Sequence, residues 1–144
     1  MTMPRKNDLF VDTAGWGCYL NHRDPFHPAV ITFVQRQARR RHRLITTNYV
    51  IAELVALLSG RYHFPRQEVI TAINNVKADG KVEVVYIDQS LDDEAWRLLE
   101  ARPDKEWSLV DATSFVVMKR FGMTQALTTD HHFAQAGFTR VPAL

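Results

Sequence analysis

Four acidic residues spread along the chain have the types and spacing to do chemistry together: Asp12, Glu53, Asp111 and Asp130. Carboxylates that lie close together repel, and some stay protonated unless a multivalent cation neutralises them. Their oxygen atoms favour a hard ion such as Mg²⁺ or Mn²⁺ over zinc. We predict that they hold one such ion or two. Two ions about 3.5 to 4 Å apart would clamp the attacking and leaving oxygens of a phosphodiester.

Each acid taken alone also has a purely structural explanation. Asp12 and Asp130 are placed to be helix N-caps, and Asp111 stands three residues after Ser108, as in a capping box. Glu53 is different, because apolar residues surround it in a helix that we expect to be largely buried. An unpaired carboxylate there would be costly. Convergence of all four acids is therefore what favours a metal site over four separate structural roles.

Strands that alternate with helices would bring the acids together. The predicted strands are residues 8–12, 43–46, 82–87, 125–128 and 138–141. The first predicted helix follows Asp12, and the next three cover 27–41, 46–59 and 65–80. Three more helices are predicted: one from residue 90, one from 108 to before 122, and a short one after 130. This pattern predicts an α/β fold, a three-layer sandwich with a mainly parallel sheet, in a single domain over residues 1–144. In such a sheet the carboxyl ends of the strands open onto one crevice, where all four acids can meet.

Composition places the chain among ordinary globular proteins. It has 144 residues, 24% of them charged, and a formal net charge of +2. Cys18 is the only cysteine, which excludes an internal disulfide and favours a reducing cytoplasmic location. No stretch has the length and apolar character of a signal peptide or a membrane span. In the helix predicted from residue 90, Trp96 and Leu99 are expected to face inward.

Charge is unevenly distributed along the chain. Residues 21–66 contain eight arginines against two acids, whereas residues 79–111 contain ten acids against four lysines and arginines. The basic region can attract a polyanion. Within it, Arg39, Arg40, Arg41 and Arg43 are candidate RNA phosphate ligands, although a solvated helix end explains them equally well. His131 and His132 adjoin Asp130, but a surface role is expected for both.

The flanking residues of the four acids resemble the PIN domain family, and within it the VapC-type toxins of bacterial toxin-antitoxin modules. LFVDT resembles the first strand of the family and TTNYVIAEL the helix that carries its glutamate. SLVDATSFVVMKRFG is similar to the S/T-x-x-D helix, and ALTTDHHFAQAGF to the closing T-x-D segment. The resemblance runs in order over nearly the whole chain. Ala52 departs from it, because some relatives have a second acid there.

This resemblance implies a metal-dependent endoribonuclease that hydrolyses RNA phosphodiester bonds with Mg²⁺ or Mn²⁺. Asp12, Glu53, Asp111 and Asp130 become the catalytic, metal-binding acids, and Thr13, Ser108 and Thr128 become supporting hydroxyls. It also implies a homodimer and inhibition by a small antitoxin whose tail covers the active site.

Three alternatives differ in their chemistry. A phosphatase of the haloacid dehalogenase type needs a second acid two residues after the first, where this chain has Ala14. A phosphorelay receiver needs an acidic pair after the first strand, which is also missing. The third alternative is a catalytically weak PIN module that serves as an RNA- or protein-binding scaffold, and the sequence does not exclude it.

Overall fold

A computed structural model describes residues 3–143 and contains one parallel β-sheet. The strands are β1 (Leu9–Val11), β2 (Leu44–Thr47), β3 (Val82–Val85), β4 (Gln125–Leu127) and β5 (Thr139–Val141). Their spatial order is β3-β2-β1-β4-β5, and every neighbouring pair is parallel. The chain therefore starts in the middle of the sheet, builds one half, and then crosses to build the other.

Within the described residues, seven helices connect the strands. They are α1 (Thr13–Leu20), α2 (His27–Arg39), α3 (Asn48–Ser59), α4 (Arg66–Ala78), α5 (Gln89–Ala101), α6 (Leu109–Arg120) and α7 (His131–Gln135). None of the helices within residues 3–143 is long and apolar enough to cross a membrane.

Helices cover both faces of the sheet, as the alternation of side chains in β1 shows. Val11 faces α1, since a Cβ built on Gly15 would lie 3.1 Å from Val11 Cγ1. Phe10 points to the opposite face, where its ring centroid lies 6.2 Å from that of Phe133 in α7. Because both faces are covered, β1 is fully buried and apolar throughout. The predicted three-layer α/β sandwich is confirmed, and its sheet is entirely parallel.

The inward orientation predicted for Trp96 is wrong. Leu91 and Ala95 are buried, and Leu98 is partly buried, so the apolar stripe of α5 runs at helical spacing through these positions. Trp96 lies beside this stripe and is 51% exposed. Leu99 is partly buried against the core, as predicted.

Candidate metal centre

Asp12 follows β1 directly and caps α1. Its Oδ1 accepts a hydrogen bond from the Gly15 backbone N–H at 2.8 Å, and its Oδ2 accepts one from Thr128 Oγ1 at 2.7 Å. The side chain is 6% exposed, and this burial raises its pKa from 3.8 to about 7. The two hydrogen bonds oppose the increase, and the charges of Asp130 and Asp111 add to it. Burial therefore favours the protonated form of Asp12, and no lysine or arginine from residue 3 to 143 forms an ion pair with it.

Asp111 lies in the first turn of α6. The predicted capping box is confirmed: Ser108 Oγ accepts from the Asp111 backbone N–H, and Asp111 Oδ2 accepts from the Ser108 backbone N–H, both at 3.0 Å. Burial raises the pKa of Asp111, the bond from the Ser108 N–H opposes this, and the charge of Asp130 raises it further. The capping box thus fixes a carboxylate that still has unused oxygen lone pairs.

Asp130 caps α7, and the Thr128 hydroxyl forms hydrogen bonds with both Asp130 and Asp12. Its Oδ1 accepts from the His132 backbone N–H at 2.9 Å. Its own N–H donates to Thr128 Oγ1 at 2.9 Å, and the same hydroxyl donates to Asp12. Thr128 is 4% exposed and therefore holds the two acids in a fixed relation from inside the protein.

Glu53 lies in α3, on the other side of the centre. The expectation that it is buried is wrong, because it is exposed on the face of α3 that looks into the cleft. The buried stripe of α3 consists of Val50, Ile51, Leu54 and Leu58. Thr13 donates a side-chain hydrogen bond to Glu53 Oε1 and joins the start of α1 to α3.

The structure brings all four predicted acids together in one cleft of about 330 Å³. Thr13 also lines it, whereas Thr128 and Ser108 support Asp12 and Asp111 from behind. A further acid, Asp24, lines the same cleft. Sequence reasoning missed Asp24 because it lies in the loop before α2, outside any strand end or helix motif.

His132 is a second residue that sequence reasoning missed. Its Nδ1 lies 3.3 Å from Asp111 Oδ2 and 3.2 Å from Asp130 Oδ1, and the side chain is 21% exposed. This buried nitrogen nevertheless makes no hydrogen bond among the described residues. Asp130, His131 and His132 also have ligand atoms within 4.8 Å of one another. The expected surface role therefore holds for His131, which is 68% exposed, but not for His132.

The donor set of the cleft fits a divalent cation. Within residues 3–143, no lysine or arginine forms an ion pair with any of the four acids. Buried carboxylates are normally paired or bound to a metal. Carboxylate oxygens predominate here, which suits Mg²⁺ or Mn²⁺ better than zinc.

The four arginines predicted to bind RNA lie elsewhere. Arg39, Arg40 and Arg41 are exposed at the end of α2, just before β2 begins, whereas the acids lie where the strands end. Along β2 alone, the start of the strand lies about 10 Å from its end. Arg43 forms an ion pair with Asp8 at 3.2 Å and donates to the Met3 carbonyl at 2.7 Å. The structure thus does not bring these arginines into the acidic cleft.

Comparison with known proteins gives one family and a similar enzyme. The model of the PIN domain family matches residues 9–139. The chain is 32% identical over 133 residues to the 23S rRNA-specific endonuclease VapC20 of Mycobacterium tuberculosis, a match that covers 92% of this chain and 97% of the relative.

Two solved structures are similar in fold. The crystal structure of M. tuberculosis VapC20, described as a sarcin-ricin loop cleaving toxin, has a TM-score of 0.79 and 30% identity, and the match covers 93% of this chain and 98% of the other. FitAcB from Neisseria gonorrhoeae has a TM-score of 0.60 at 12% identity, over 92% of this chain and 94% of the other. The second similarity concerns the fold alone.

Proposed function

Because this chain belongs to the PIN domain family, we propose that it is a metal-dependent endoribonuclease and the toxin of a toxin-antitoxin pair. The observation that carries this proposal is the convergence of Asp12, Glu53, Asp111 and Asp130 in one cleft without a lysine or arginine ion pair among the described residues. Residues 1–144 are proposed to act as a single nuclease domain.

Asp12, Glu53, Asp111 and Asp130 would hold Mg²⁺ or Mn²⁺. When bound, such an ion lowers the pKa of a water molecule and offsets the charge that develops on a phosphodiester during hydrolysis. The protein supplies the fixed geometry. Thr128 donates to the Asp12 carboxylate, and Thr13 donates to the Glu53 carboxylate. The hydroxyls of Ser108 and Thr128 accept from the backbone N–H groups of Asp111 and Asp130, respectively, and so position these two acids. Groups of this kind orient ligands and tune their affinity for a metal.

The substrate and partners are proposed from the relative and from the family. The M. tuberculosis relative is named for 23S rRNA, and its crystal structure for the sarcin-ricin loop. We therefore propose an rRNA loop as the first substrate to test. A homodimer and a small antitoxin that covers the cleft are proposed from the likeness to VapC-type toxins.

The test is cleavage of purified ribosomal RNA by the wild-type protein with Mg²⁺, with Mn²⁺ and with chelator. We expect cutting that requires the metal and is lost in Asp111→Asn, which removes charge but keeps the size of the side chain. Asp93→Asn is the matched control, because Asp93 is exposed on α5 and does not line the cleft. Cleavage that survives in chelator, or in Asp111→Asn, would contradict the proposal. Absence of cleavage under every condition would favour the scaffold function.

A further inference from the structure

A second cleft adjoins the acidic one. It has a volume of about 510 Å³ and is lined by Phe26, Thr128, Thr129, Arg140, Pro142 and Ala143. Phe26 and Thr129 line both clefts. The two therefore form one continuous surface that passes over the acids, and Asp130 immediately follows the shared Thr129.

Arg61 is the only lysine, arginine or histidine that lines the acidic cleft among the described residues. Its side chain is exposed and forms no ion pair or hydrogen bond with any residue from 3 to 143, although Asp12, Asp24, Glu53, Asp111 and Asp130 line the same space. From Glu53 to the end of α3 at Ser59 the helix rises about 9 Å. Arg61 thus lies past the end of α3, more than two helical turns along the chain from Glu53.

Arg140 lines the second cleft but not the acidic one. It is exposed on β5, and its Nη1 donates to the Thr129 carbonyl at 3.0 Å. This bond fixes the side chain beside the residue that precedes Asp130, and it occupies only one of the five guanidinium donors. Within residues 3–143, no carboxylate pairs with Arg140. The remaining donors can therefore bind a phosphate in the bidentate manner that arginine favours.

Phe26 lines both the cleft that contains Arg61 and the cleft that contains Arg140. It is 40% exposed although it is large and apolar, and the Phe26 backbone N–H donates to Asp24 Oδ1 at 2.8 Å, which orders the loop that carries it. Exposed aromatic rings beside unpaired cations are typical of surfaces on which unstacked RNA bases rest.

We propose that Arg61, Phe26 and Arg140 form a track for one RNA strand across the acids. Arg61 and Arg140 bind phosphates on opposite sides of the cut, and Phe26 stacks on a base between them. The inference rests on the proposed nuclease function and deepens it, because it assigns substrate positioning to residues outside the acidic set.

The test of the arginines is the salt dependence of RNA binding, measured by fluorescence anisotropy with a labelled oligoribonucleotide. All proteins carry Asp111→Asn, so that the RNA is not cut. Arg61→Ala with Arg140→Ala should weaken binding and make the plot of log K against log[salt] shallower by about 1.4, since each phosphate contact on a single strand contributes about 0.7. The charge-matched control is Arg97→Ala with Lys119→Ala, two exposed residues that line a different cleft. A slope equal to that of the control would overturn the inference.

The test of Phe26 uses the same assay. Phe26→Ala should weaken binding roughly tenfold at every salt concentration without changing the slope, because stacking releases no counterions. Phe26→Trp should restore it, which a merely structural role for Phe26 would not predict. Equal affinity of Phe26→Ala and its parent would remove Phe26 from the track.

Cleavage by the otherwise wild-type protein separates the two proposals. Metal-dependent cutting combined with an unchanged salt slope would reject the track and keep the nuclease. A shallower slope in a protein that cuts no RNA would keep the track and reject the nuclease. If the Asp111→Asn protein binds no RNA at any salt concentration, the track is wrong.

Discussion

Asp12 serves the fold and the proposed chemistry with the two oxygens of a single carboxyl group. One oxygen caps α1 through the Gly15 N–H, and the other accepts from Thr128. Each oxygen retains a further lone pair for a metal. The structural and functional explanations of this acid are therefore compatible, and the same is true of Asp111 in its capping box. For this reason, sequence alone could not choose between a cap and a ligand.

Thr128→Val should uncouple Asp12 from Asp130 while it keeps the shape of the side chain. It removes the donor to Asp12 and the acceptor for the Asp130 N–H, both of which are bonded at under 3 Å. We expect metal affinity and the cleavage rate to fall about 10- to 100-fold, as for other groups that orient metal ligands. Mn²⁺ titration and single-turnover cleavage measure this. Thr128→Ser should restore most of both, and failure of the serine variant to do so would mean that the hydroxyl is not the active feature.

The pKa of Asp12 predicts how the stability of the metal-free protein changes with pH. The folded-state pKa of about 7 exceeds the ordinary value of 3.8, so the native state binds the proton more tightly than the unfolded chain. This contribution is present below about pH 4 and is lost as pH rises through 7. Asp12→Asn lacks the ionisation, and it should gain stability relative to wild type by on the order of 4 kcal/mol between pH 4 and 8.

Urea unfolding in chelator at several pH values measures this difference. Asp93→Asn is the control, because Asp93 is exposed, and its stability curve should run parallel to that of the wild type. If the curve of Asp12→Asn also runs parallel to the wild type, Asp12 is not a carboxyl group whose charge is destabilised by burial.

At the scale of elements, local signals predicted most of the fold. The predicted strands, the N-caps at Asp12, Ser108 and Asp130, and the helix predicted over 65–80 all correspond to elements of the structure, with ends that differ by one or two residues. The predictions that were wrong concerned which side chains of a helix face the core. Trp96 and Glu53 both lie in correctly predicted helices, but each is exposed, because tertiary packing decides which side of a helix becomes the buried stripe. Asp24 and His132 were not predicted as part of the site, because their distance from the acids depends on how separate elements pack together.

Close contact between α1 and β4 depends on Gly15. A Cβ at this position would lie 2.0 Å from the Leu127 carbonyl oxygen, which is backbone and cannot move aside easily. Gly15→Ala should therefore push the start of α1, together with Asp12, away from β4, and lower stability by about 1 to 3 kcal/mol or more. At Gly80, apart from its chain neighbours, no atom of residues 3–143 lies within 4 Å of such a Cβ, so Gly80→Ala should change stability by less than about 0.5 kcal/mol. Equal midpoints for the two variants in urea unfolding would contradict the close contact.

On the scale of the whole molecule, the sheet separates two kinds of charge. The acids gather where the strands end, and Arg39, Arg40 and Arg41 lie where β2 begins. The sequence revealed both groups but not the distance between them, because that depends on which end of a strand each group adjoins. RNA binding by these arginines stays a prediction. The fold restricts it to RNA that is long enough to reach from the start of β2 to the acids at the other end of the strands.

Replacing Arg39, Arg40 and Arg41 together with alanine tests this restriction. With an oligoribonucleotide of about four nucleotides, confined to the cleft, the triple variant should bind like the wild type. With a long structured RNA, the salt dependence should become shallower if the arginines bind phosphates. A shallower slope with the short RNA would place these arginines beside the acids, which the fold does not allow.

The central claim is that four carboxylates from distant parts of the chain bind one catalytic metal centre. Its most direct test is anomalous X-ray diffraction from crystals grown with Mn²⁺. We expect an anomalous peak in the cleft lined by Asp12, Glu53, Asp111 and Asp130, and no peak there in crystals of Asp111→Asn. Wild-type crystals in which Mn²⁺ binds only at other positions, while the protein in solution cuts RNA with the same ion, would contradict the claim.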